Sequence, residues 1–152
     1  RLSPSIRRVN RRPMNARTLV LSLALASSGL VGCGGPLRYM VASSARAPGA
    51  DADIVAKVNE GQHQTQLEVV VKNLAPADRV APGSTVYVAW WRRDVDTSWV
   101  RLAAINYDAD ERGGTLTASA PEVAFDFQIS AEAEATPEAP SESVVFFQRV
   151  AE

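Results

Sequence analysis

The chain has a single cysteine and a single histidine in 152 residues. These scarcities exclude much site chemistry. A structural zinc site takes four Cys or His ligands, and an intrachain disulfide takes two cysteines. A histidine-based catalytic relay needs placed partners for its ring. His63 lies in a polar stretch and is expected to be a solvent-facing turn residue. No glycine spacing forms a phosphate cradle, so no nucleotide cofactor is expected. No apolar run reaches the roughly 20 residues that a membrane-spanning helix needs. Neither an enzymatic activity nor a cofactor is expected.

What is present begins with an address. Arg7, Arg8, Arg11, Arg12 and Arg17 precede the uncharged, Leu/Val/Ala-rich residues 18–31. That length fits the apolar segment of a signal peptide rather than a membrane span. It ends in Leu30-Val31-Gly32-Cys33, which resembles the lipobox of bacterial prolipoproteins. The resemblance implies a diacylglycerol on the Cys33 thiol, cleavage between Gly32 and Cys33, and acylation of the new amino group. Gly32 lets the peptidase approach the backbone. Several acyl chains anchor stably where one binds only marginally. Residues 1–32 therefore read as a signal peptide, and Met14 reads as the start, with 1–13 upstream of it. Gly34 follows Cys33 where an inner-membrane retention signal would have Asp, which resembles the outer-membrane sorting default.

Removing the leader changes the charge. Six of the 16 basic residues lie in it, and all 17 acidic residues lie after it. The mature chain holds 10 basic and 17 acidic groups, a net charge of −7. Such a domain repels phosphate, so nucleic acid is not an expected partner.

Residues 33–49 hold Gly34, Gly35, Pro36, Pro48 and Gly49 and read as a flexible tether. From residue 50 to 152 the pattern is period-two alternation, the strand signal. Alternating segments fall at 54–59, 65–72, 86–92, 99–106, 115–120, 125–132 and 144–150. Turn residues separate them. Seven short strands and no helix in about 100 residues predict an all-β, immunoglobulin-like antiparallel sandwich. A small closed barrel is the alternative.

Four stretches carry a family likeness: LEVVVKNLAP at 67–76, PGSTVYVAW at 82–90, WVRLAAI at 99–105 and FDFQISAE at 125–132. The domain resembles the extracytoplasmic domain of anti-sigma-K factor (RskA-like) proteins. Ala103 stands where that pattern often has glycine. Seventeen residues precede the apolar run, so sigma-factor binding is not expected to carry over. The resemblance implies a sensor or interaction module without catalysis. It also implies that Trp90 belongs to the core with Val86 and Val88.

Adjacent strand residues point to opposite faces. Trp91 is then expected outside with Tyr87, Ala89 and Arg93, and Trp99 across the hairpin. Tyr87, Trp91, Arg93 and Trp99 form the candidate binding patch, where rings and a guanidinium would hold a glycan or a partner protein. Ordinary cross-strand packing is the competing account. Asp108, Asp110 and Glu111 make a weak calcium candidate, short of the six to eight oxygens calcium takes. The acidic loop 132–142 is expected to be solvated. The expected role is a lipid-anchored envelope protein that binds or senses. Alternatives are a purely structural lipoprotein and an accessory domain of a carbohydrate-active or hydrolytic system. Mass spectrometry of the mature N-terminus should show a lipid-modified Cys33. An unmodified Cys33 in the exported protein would reject the anchor.

Overall fold

The computed structural model describes residues 35–151, and the expected leader, Gly32 and Cys33 lie outside them. Nine strands follow in order: β1 Leu37–Ala42, β2 Asp51–Asn59, β3 Gln64–Lys72, β4 Val86–Arg92, β5 Val100–Ala104, β6 Asn106–Asp108, β7 Gly113–Ala120, β8 Phe125–Glu132 and β9 Val144–Val150. A one-turn helix, α1 Ala77–Val80, lies between β3 and β4. The strands form two antiparallel sheets, ordered β1-β2-β3-β7-β6 and β5-β4-β8-β9. β2, β3, β7 and β6 take the places of strands A, B, E and D of an immunoglobulin domain, and β4, β8 and β9 those of C, F and G. The expected sandwich is therefore the fold. A closed barrel is excluded, because the strands make two separate sheets.

Two expectations about extent are corrected. The tether does not run to residue 49, because Leu37–Ala42 is a strand paired with β2 from Leu37↔Ala56 to Ala42↔Asp51. Its own alternation explains why: Leu37, Tyr39 and Val41 turn inward while Arg38, Met40 and Ala42 face out. The Tyr39 hydroxyl bridges the chain's other end, donating to the Ala151 carbonyl at 3.0 Å and accepting from its N–H at 3.2 Å. The single strand expected at 99–106 is two. β5 pairs with β4, and β6 pairs with β7 in the opposite sheet. Ile105, buried at the crossover, donates its N–H to the Tyr87 carbonyl at 2.8 Å.

The core lies between the sheets. Ile54, Leu67, Val69 and Val71 supply one wall, and Tyr87, Phe125, Phe127, Ile129 and Phe146 the other. The crossover demands close approach. A Cβ on Gly114 would lie 2.8 Å from Ile105 Cγ2 and 2.9 Å from the Asn106 carbonyl oxygen. The second of these is backbone and cannot swing away. Gly114→Ala should therefore destabilise the domain by roughly 1–3 kcal/mol, read from denaturant unfolding. An unchanged midpoint would contradict the crossover geometry.

Candidate functional site

The β4–β8 register decides which side chains meet water. Tyr87↔Ala131, Ala89↔Ile129 and Trp91↔Phe127 share the inner face, and Val88↔Ser130, Trp90↔Gln128 and Arg92↔Asp126 share the outer one. The expected faces of β4 are thus reversed. Tyr87 and Ala89 are core residues. Trp91 is half-buried against that core, with its ring edge-on to Phe125 at 6.3 Å. Trp90 and Val88 are fully buried but sit on the outer face. The Tyr87 hydroxyl donates to the Ala75 carbonyl at 2.6 Å, fixing the β3–β4 connection. The four-residue candidate patch is therefore not one surface, and of its members Trp99 alone lies over the outer face of this sheet.

That outer face is unusual in what it buries. Asp126, Gln128, Ser130 and Glu132 are all buried there, so β8 is covered on both sides. Buried polar groups need partners, and each carboxylate here has them. Asp126 accepts from Arg92 Nε and Arg149 Nη1, each at 3.0 Å. Arg149 Nη1 also donates to the Arg93 carbonyl at 2.8 Å. Trp90 Nε1 donates to Ser130 Oγ at 2.9 Å, and Ser130 Oγ donates to Glu132 Oε1. Glu132 Oε1 also accepts the Ser141 N–H at 2.8 Å. No described buried side-chain nitrogen or oxygen lacks a partner.

Trp99 lies over this layer. It precedes β5 at one edge, yet its ring meets Phe147 of β9 edge-on at 6.5 Å. β4 and β8 separate those strands, a span of about 14 Å at 4.8 Å per strand. The indole must therefore reach across the sheet. The Arg92 guanidinium sits over its ring at 4.4 Å. Phe147 remains half exposed. The surface so formed comprises Arg92, Trp99 and Phe147, with Trp90 buried in the face below. Two of its aromatics sit in stretches noted in the sequence. Phe147 carries no such signal, because the sequence of β9 is nearly all apolar and its two faces look alike.

The remaining candidates resolve individually. Arg93 turns to Glu122, donating from Nε at 2.7 Å. His63 is exposed in its turn, as expected, with Nε2 3.5 Å from the other Glu122 oxygen. Thr65 Oγ1 donates to the Glu122 carbonyl at 2.8 Å. This cluster joins three turns at one end of the sandwich. Asp108 Oδ1 accepts the N–H groups of Asp110 and Glu111 at 2.9 and 3.0 Å, so its carboxylate closes the β6–β7 turn. Among the described residues no group of three His, Cys, Asp or Glu side chains is placed to hold a metal. In the acidic loop, Glu134, Glu138 and Glu142 are exposed, but Glu132 is buried. The solvated reading is corrected there. A hollow of about 520 Å³ lies away from Trp99 and includes Val70, Lys72, Asp108 and Thr115 in its wall.

Tyr87 and Tyr107 pack edge to face at 5.4 Å, and burial raises the pKa of each hydroxyl above its usual value. The Tyr107 hydroxyl donates to the Leu74 carbonyl at 2.7 Å. No protein-family model, curated protein or solved structure matches the chain.

The tyrosine pair sets an alkaline limit. The unfolded chain ionises tyrosine near pH 10, while the folded hydroxyls stay protonated to higher pH. The unfolded state then binds fewer protons, so stability is full below about pH 10 and falls above it. Tyr87→Phe should flatten that fall, measured as denaturant midpoints against pH; an identical slope would contradict it.

Proposed function

We propose that this protein is a lipid-anchored, non-enzymatic binding module of the bacterial cell envelope. Its recognition surface is the outer face of the β5-β4-β8-β9 sheet. The leader and Leu30-Val31-Gly32-Cys33 support the anchor, and Gly34 after the cysteine favours the outer membrane where there are two. The likeness to RskA-like extracytoplasmic domains points the same way, to sensing or interaction. The observation that carries the surface is Trp99, laid across the sheet between the Arg92 guanidinium and half-exposed Phe147. Two rings set edge to face, with a cation over one of them, suit contact with a glycan ring or with the flat backbone of a partner protein. The non-enzymatic reading is supported by the carboxylates of this layer. Asp126 is committed to two arginines, and Glu132 to Ser130 and Ser141.

A purely structural lipoprotein is the second reading. It is favoured by Arg92 being already paired with Asp126. A photo-crosslinking residue at position 147, with a control at Thr117 on the other sheet, separates the two in intact envelopes. A discrete adduct at 147 is expected, lost in Trp99→Ala while that variant still melts cooperatively. No adduct at 147 from folded, anchored protein would overturn the binding reading and leave the structural one.

A further inference from the structure

We infer that the domain stands end-on against an anionic phospholipid bilayer, its turn end down and its acidic loop end outward. The inference rests on the lipid-anchor reading of Cys33. It begins from chain length. With β1 starting at Leu37, only Gly34, Gly35 and Pro36 separate the anchored residue from the sheet. Four residue steps reach at most about 14 Å. A tether of seventeen residues would have left every orientation open; one this short does not.

Position then decides which end is held. Leu37 pairs with Ala56, three residues from the β2 terminus at Asn59 and five from its start at Asp51. At 3.3 Å per residue, Leu37 lies about 10 Å from the turn end and about 17 Å from the loop end, before the loops themselves are added. The turn end carries the 3-10 turn Glu60–Gln62, His63, the β4–β5 turn, Glu122 and Ala151. The loop end carries the connections after β1, β3, β6 and β8. An inverted pose would need a link longer than the loop end's distance from Leu37, and the link is shorter.

Charge separates the two remaining poses, upright and side-lying. Segments 43–51, 73–85, 108–112 and 132–143 at the loop end hold nine carboxylates and three arginines, a net of −6. Segments 59–64, 92–101, 120–126 and 148–151 at the turn end hold five carboxylates and four arginines, a net of −1. Nearly all of the mature charge of −7 therefore sits at one end. A bilayer with anionic headgroups repels that end and tolerates the other. Val95, exposed in the β4–β5 turn, puts an apolar side chain at the tolerated end.

The test uses the full lipidated chain in vesicles of phosphatidylcholine and phosphatidylglycerol. Lipidation leaves no native thiol, so Ser98→Cys at the turn end and Ala139→Cys at the loop end each accept one fluorophore. Energy transfer to a headgroup-labelled lipid should be strong from position 98 and weak from 139, the strands alone separating them by about 25–30 Å. Equal transfer from both would overturn the upright pose while leaving the anchor standing. Protein that fails to float with the vesicles and labels at two thiols per chain would overturn the anchor and the pose with it.

Discussion

The structure turns on β8, a strand buried along both faces. One face is apolar and joins the core through Phe125, Phe127, Ile129 and Ala131. The other carries Asp126, Gln128, Ser130 and Glu132, and burying it demands a partner for every polar atom. Two arginines for Asp126 are drawn from β4 and β9, tying both neighbouring strands to the centre. The Trp90 indole and the Ser141 N–H serve Ser130 and Glu132, which fastens the far end of the acidic loop back to the sheet. Trp99 crosses the same face to Phe147. The external layer of the second sheet thus exists because a polar strand face was placed under cover.

Part of this is legible from sequence and part is not, for identifiable reasons. The alternation of 125–132 announces both the strand and its inner face, since apolar and polar residues take strict turns. β4 offers no such clue: Val-Tyr-Val-Ala-Trp-Trp-Arg is apolar on both faces, so period two cannot say which side meets the core. The packing of Tyr87 on Tyr107, together with its bond to Ala75, settles the register inward. Residues 37–42 alternate too, but glycine, proline and serine on either side disguise them as linker. The division of 99–106 has no local signal. It depends on Ile105 reaching the core and on a glycine at 114 that leaves room for it. Partners such as Arg92, Asp126 and Arg149 are far apart in sequence and are joined only by register.

The same features bear on the proposed role. On this face Asp126 is committed to two arginines and Glu132 to Ser130 and Ser141, and above them Trp99 and Phe147 pack edge to face. Rigid rings lose little conformational freedom when a ligand covers them. Trp99 and Arg92 also lie toward the turn end of the sheet, the end from which β1 sets out. On the anchored reading, a ligand of this face is met close to the membrane rather than far out in the envelope, and the acidic loops form the opposite pole.

Trp99 covers the outer face of β8 by packing on Phe147 across two intervening strands. A double-mutant cycle combining Trp99→Ala and Phe147→Ala, read by equilibrium unfolding, measures that contact directly. A coupling of about 0.5–1.5 kcal/mol is expected, the range of an edge-to-face aromatic pair. Additive destabilisation, with coupling indistinguishable from zero, would contradict it.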